Sequence, residues 1–411
     1  MPSRTHKASI TRRCVASLIS AASIAAVLAV TPIQAAEWRI EPLIRVAGET
    51  DDNANLSTRT DEDTDISGYI IDASAKFAYA SELTTFFVTP TLRSRDYGDP
   101  DYDSDDQFLD FNFTRDTQSS IFRIRGSYNR ESVRTAERAD TDLDIEDPDE
   151  IPDNETGRVF IRDQRELFRI FPSWTYRMSD ASSFSVDLNY TDVTYDEVFD
   201  QILSDYDDTR VNLSYRRTWS PRNTAILTGT YRQYNADLND DDVTGAGINA
   251  GFERELSETS RLKAVLGVED TDQGLEDTDV NWVGDISLTR RLQTITLLAQ
   301  YRRTINASGR GSVSVRDSIN LNFTRRLNER ISAGLGVRAY QDSGVSSDAG
   351  SAGQDYLQLR AQVTWNMTRT WSLEGNYRYT FLDRSVLGES ANSNAVTVWL
   401  TYRPTPIIRS R

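Results

Sequence analysis

Along most of this chain polar and apolar residues alternate with a period of two. Residues 318–324 read Ser-Ile-Asn-Leu-Asn-Phe-Thr, and residues 356–364 read Tyr-Leu-Gln-Leu-Arg-Ala-Gln-Val-Thr. That spacing places one set of side chains on one face of an extended strand and the second set on the other. The runs are long and regular, carry aromatic residues at their ends, and are separated by acid-rich connectors and tight polar turns in alternation. A soluble sandwich also alternates, but it hides its apolar face and uses short connectors at both ends. A closed transmembrane barrel turns that face to lipid, pairs every backbone group within the sheet, and has short turns at one end and longer loops at the other.

Eight short turns can be read, at residues 80–83, 115–118, 178–182, 220–223, 256–259, 290–293, 326–329 and 366–370. With them the strand tally is eighteen; sixteen is the alternative if the hairpin around residues 243–256 is misread. The expected fold is therefore all-β, an antiparallel up-and-down barrel over residues 37–403. Leu266, Leu321, Phe323, Val363 and Val398 fall on the lipid set, and Trp219, Trp365, Trp371 and Tyr79 stand beside the short turns as an interfacial belt.

Shifting by one residue gives the lumen set. Its candidate site residues are Arg93, Arg95, Arg123, Arg125, Arg216, Arg232, Arg302, Arg316, Arg338, Arg360 and Arg378. Amides and hydroxyls such as Asn212, Ser214, Thr228, Thr230, Asn322 and Asn376 stand between them, and the acids read on this face are Asp72, Asp110, Asp187, Glu269, Asp285 and Glu374. A net basic inner wall is expected. Arginines there either attract anions and orient sugar hydroxyls, or pair with wall acids and stiffen the barrel; the pattern leaves both readings open.

The first thirty-six residues read as an export signal: basic Arg4, Lys7, Arg12 and Arg13, an Ala-rich apolar stretch over residues 15–30, and small residues at Ala35 and Ala36. Cys14 and His6, the sole cysteine and histidine, would leave with it. The mature chain would then have no thiolate, imidazole or disulfide, which argues against an enzyme, a zinc site or any cofactor. Removing four basic residues and no acid takes the formal charge from −17 to −21, which speaks against nucleic acid as a partner. Residues 136–157 hold Asp140, Asp142, Asp144, Glu146, Asp147, Asp149 and Glu150, too charged to form a core, and read as one long loop at the mouth or folded into it. The alternating Asp99, Asp101, Asp103 and Asp105 lack the glycine and the bidentate Glu of a calcium loop and read as a solvated connector.

The mature start, Glu37-Trp38-Arg39-Ile40-Glu41-Pro42-Leu43-Ile44, runs into Glu49-Thr50-Asp51-Asp52-Asn53. A Trp-x-Ile-x-Pro first strand followed by Asp-Asn resembles the opening of the outer-membrane β-barrel porin type 2 family. The resemblance implies an outer-membrane barrel, often encoded beside exopolysaccharide or capsule genes, and thus a conduit for polysaccharide or another polar or anionic solute. A general diffusion porin and a surface-interaction barrel are the alternatives. The implied partners are outer-membrane lipid and lipopolysaccharide, the barrel assembly machinery, and periplasmic polysaccharide-export components. Barrels commonly end on an aromatic strand; here residues 399–402 supply it, yet residues 404–411 follow as a short tail.

Overall fold

The computed structural model describes residues 36–57, 65–138, 143, 148, 155–156, 164–196, 203–237, 242–272, 279–307, 309, 311–344, 353–384 and 389–410. The stretch read above as an export signal, apart from residue 36, and most of the acidic segment lie outside them.

The wall begins with β1 (Glu37–Asp51), β2 (Ile66–Ala80), β3 (Thr84–Asp96), β4 (Ser104–Asp116), β5 (Ser120–Ser132) and β6 (Gln164–Ser179). It continues through β7 (Ser182–Tyr195), β8 (Tyr206–Ser220), β9 (Asn223–Ala236), β10 (Val243–Ser257), β11 (Ser260–Asp272) and β12 (Asp279–Arg291). The strands β13 (Ile295–Ala307), β14 (Val313–Arg326), β15 (Ile331–Gly344), β16 (Gln354–Asn366), β17 (Trp371–Arg384) and β18 (Glu389–Tyr402) complete it. Each pairs antiparallel with its sequence neighbour, and β18 pairs with β1, Tyr402 opposite Ile44, so eighteen strands close into a barrel. All eight short turns lie where the alternation breaks, and the hairpin of β10 and β11 is fully formed.

The register follows the alternation. Leu266 and Val280 are 64% and 69% exposed on the outside, while Asn320 and Gln358, on the opposite face, are buried. Aromatic pairs ring the short-turn end: Trp38 on Tyr79 at 4.9 Å, Trp371 on Tyr402 at 4.7 Å, and Trp219 stacked on Phe252 at 5.7 Å. Such amphipathic rings suit a boundary that is apolar on one side and wet on the other.

The tail is not separate from the wall. Residues Ile407–Ser410 form a short β19 along β1, with Ile407 opposite Ile40 and Ser410 opposite Glu37. Pro404 and Pro406 cannot donate ladder hydrogen bonds, so β18 stops at Tyr402 and pairing resumes one residue out of register. Without β19 the first four residues of β1 would lack a partner at the seam.

At one seam the wall opens, where β13 parts from β12 while β14 stays paired with β15 as far as Ser314 opposite Gly344. The ladder between β12 and β13 ends at Gly284 opposite Arg303, although β12 runs on to Asp279. Beyond that point the tips of β13 and β14 tuck inside the barrel. Ile305 and Val315, outward by alternation from Tyr301 and Ile319, are each 1% exposed and pack with Tyr206, Tyr234 and Val243 from the inner face of β8–β10.

Candidate functional site

Strand register puts all eleven arginines of the candidate set on the inner face, and at least eight of them meet a carboxylate of the described residues. Arg93 grips Asp72 through Nε (2.7 Å) and Nη2 (3.0 Å), and Arg316 holds Asp342 through the same two nitrogens at 2.7 and 2.8 Å. Arg95 pairs with Asp106 and Arg216 with Glu253. Arg232 bonds Asp208 at 2.6 Å, Arg302 bonds Asp285 at 2.9 Å, and Arg338 bonds Glu155 at 3.0 Å. Arg378 reaches Asp51 at 3.2 Å and Glu49 at 3.7 Å, while Arg360 donates to Asn376 Oδ1 at 3.3 Å. Arg123 and Arg125 are exposed on the lower wall, and Arg123 lies two strands from Asp187 through Ser173.

The expected cation excess is therefore largely neutralised. Glu49, Asp51, Asp106, Asp208, Glu253 and Asp342 also face inward, and most stand where a strand approaches a connector rich in Asp. In the sequence such acids merge with the connector, whereas in the barrel they close the arginine pairs. Asp99 and Asp103 serve turn geometry instead: their carboxylates accept from the backbone N–H of Asp101 (3.0 Å) and Tyr97 (2.8 Å). Among the described residues no cluster of metal-ligating side chains occurs.

The described residues between β5 and β6 lie in the lumen. They start with a short helix, α1 (Val133–Ala136), after which Arg138 donates to Asp51 Oδ2 (3.0 Å) and to the Ala54 carbonyl (2.7 Å). Glu137, fully buried, accepts from Arg165 (2.8 Å), Tyr195 (2.9 Å) and the Thr156 N–H (2.7 Å) and hydroxyl (2.6 Å). Burial pushes this carboxyl up, but Arg165 and Thr156 outweigh burial and hold it below its ordinary value. Further along, the Pro148 carbonyl accepts from Arg302 (2.8 Å), the Glu155 carbonyl from Arg316 (2.8 Å), and the Thr156 carbonyl from Gln354 (2.9 Å). Leu143 reaches deep enough to abut Gly334, near the short-turn end of β15, where a Cβ would collide with it at 2.7 Å.

Above this segment the mouth is packed with apolar side chains. One cluster joins Val133, Leu167, Val193, Tyr195, Leu203, Tyr206 and Tyr234 to the tucked hairpin. Another surrounds Leu56 with Tyr340, Tyr356, Leu382 and Ala391. Leu56 sits at φ 49°, a left-handed backbone that a leucine adopts only at a cost of ~1–3 kcal/mol, offset here by its burial. The sequence carried a signal for this plug: Val193, Tyr195, Tyr206, Tyr234 and Val243 are apolar residues at inward positions, where a water-filled lumen wants polar ones.

The lower wall from β5 to β11 differs. Ser214 bonds Thr228 (2.9 Å) and Thr230 bonds Asn212 (2.9 Å), along the wall. The Arg216 side chain is 44% exposed despite its pair with Glu253, against 1% for Arg316 and 3% for Arg338. This is a polar, cation-bearing surface open to solvent inside the barrel.

No family model and no curated protein matches the chain. Among solved structures it is similar to Acinetobacter baumannii OccAB4, at 11% identity and a TM-score of 0.48, covering 91% of this chain and 99% of that one. Similar too are Pseudomonas aeruginosa OpdQ (8% identity, TM-score 0.46, 90% and 98% covered) and the outer membrane channel DcaP of A. baumannii (11%, 0.44, 90% and 97%). At these identities and scores the functional reading rests on the residues of this chain.

Proposed function

We propose that the chain is an outer-membrane channel that passes small polar solutes, anions above all, along the β5–β11 side of its lumen. The observation that carries this reading is the exposed inner surface of Arg123, Arg125 and Arg216 among Asn212, Ser214, Thr228 and Thr230, inside a barrel whose outer face is apolar. The outer face belongs in hydrocarbon, with lipid and lipopolysaccharide as neighbours; the inner one offers fixed cations and hydroxyls to a permeant solute. Export of a polysaccharide, which the N-terminal resemblance implied, draws less support, because Leu143, Pro148, Glu155 and Thr156 lie against the inner wall and the mouth is packed. General diffusion is the second reading, favoured by hydroxyls and amides that suit many small solutes equally. Reversal potentials of the purified barrel in planar bilayers test the proposal. Anion preference at high salt is expected, and cation preference that persists there would overturn it.

A further inference from the structure

Arg134, in α1 at the mouth, is 3% exposed, and among the described residues no carboxylate lies within ion-pairing distance of it. Its Nε and Nη2 are both buried without a hydrogen-bond partner. Those two nitrogens form the side-on fork of a guanidinium, the edge that matches the two oxygens of a carboxylate. In Arg93 and Arg316 the same fork is filled by Asp72 and Asp342. Arg134 has instead the faces of two rings, Tyr97 at 5.0 Å and Tyr102 at 6.0 Å from its Cζ. Its nearby cation Arg95 already claims Asp106. A second buried polar atom in the same place, Asn55 Oδ1, is also without a partner, although Asn55 Nδ2 donates to the Tyr102 hydroxyl at 3.0 Å. The two ring faces and the Tyr97 hydroxyl, which donates to Glu49 Oε2 at 3.0 Å, compensate the charge only in part, and the fork itself stays unfilled.

We propose that the Arg134 fork is a binding site for the carboxylate of a solute at the mouth, with Tyr102, carried by the β3–β4 turn, as the cover that shifts to admit it. The proposal rests on the channel reading above and deepens it by naming the group recognised. The rings of Tyr97 and Tyr102 supply a weakly polar enclosure in which a bidentate carboxylate–guanidinium pair is stronger than in water.

The test uses the full mature barrel in detergent, with sodium glucuronate as probe and glucose, chloride and inorganic phosphate as controls. Ligand bound only to the folded state raises its melting temperature. Glucuronate should raise the melting temperature of the wild type and glucose should not. Arg134→Gln should abolish the response, and Arg134→Lys, a point charge without a fork, should weaken it. Without glucuronate, Arg134→Met should melt no lower than the wild type, because it removes an unpaired buried charge. An equal glucuronate shift in wild type and Arg134→Gln, a larger shift with phosphate, or a marked drop in melting temperature for Arg134→Met alone would each overturn the site. The melting response does not depend on ion conduction. Loss of anion preference in the bilayer with an intact, Arg134-dependent glucuronate shift would therefore sink the channel reading and leave the site.

Discussion

Two walls of one lumen use arginine in opposite ways. On β13–β16, Arg302, Arg316 and Arg338 point inward and are covered by the β5–β6 segment, which offers them Glu155 and the carbonyls of Pro148 and Glu155. On β5–β8, Arg123, Arg125 and Arg216 point inward at the same alternation and face solvent. Inward direction alone therefore does not assign a job to a lumen arginine. What decides it is whether another part of the chain lies over it, since burial converts a solvent-facing surface into a structural joint with a high penalty for losing either partner.

The largest expected effect breaks the covered wall. Arg316→Ala leaves Asp342 buried without its partner (the two side chains are 1% and 2% exposed) and should cost about 3–5 kcal/mol, read as a lower urea midpoint of the heat-modifiable folded band. Arg216→Ala on the open wall should cost no more than about 1 kcal/mol in the same assay. Equal costs would erase the distinction between the walls.

A somewhat smaller loss is expected on the outer face. Placing Arg at Leu266, outward and mid-strand, should cost about 2–4 kcal/mol near the bilayer midplane, while Arg at Ser214 on the open wall should be tolerated. Asn322, which faces inward but is 7% exposed, belongs with the covered wall, and Arg there should destabilise as well.

These three positions show how much the sequence revealed. Alternation with a fixed period of two was enough to place Leu266 outside and Ser214 and Asn322 inside, because a strand has only two faces and the turns hold the register. It could not separate Ser214 from Asn322, because that difference depends on where the β5–β6 segment runs. Its described residues are held there by distant contacts, Pro148 on Arg302 and Glu155 on Arg338, that leave no periodic trace. The bend of β13 was hidden for a similar reason: Ile305 and Val315 keep the outward rhythm while packing inward. At the seam, residues 404–411 read as a short tail, whereas in the barrel Ile407–Ser410 pair with β1 beyond the end of β18.

A smaller effect concerns pH at the joint between the two walls. Glu137 is held below its ordinary value of 4.5, so its contribution is present above that value and lost as pH falls through the depressed one. The melting temperature of the wild type should therefore fall more steeply below about pH 4.5 than that of Glu137→Gln, which lacks the contribution at every pH. Parallel curves would detach Glu137 from the stability of the mouth.

The division of labour between the walls is tested most directly by reversal potentials at high salt, where solvated loop acids are screened within a few ångströms. The triple replacement of Arg123, Arg125 and Arg216 by Gln should move the barrel from anion preference towards none or towards cations, while Arg302→Gln, in a barrel that still folds, should leave selectivity nearly unchanged. Selectivity that follows Arg302 and ignores the triple replacement would contradict the account.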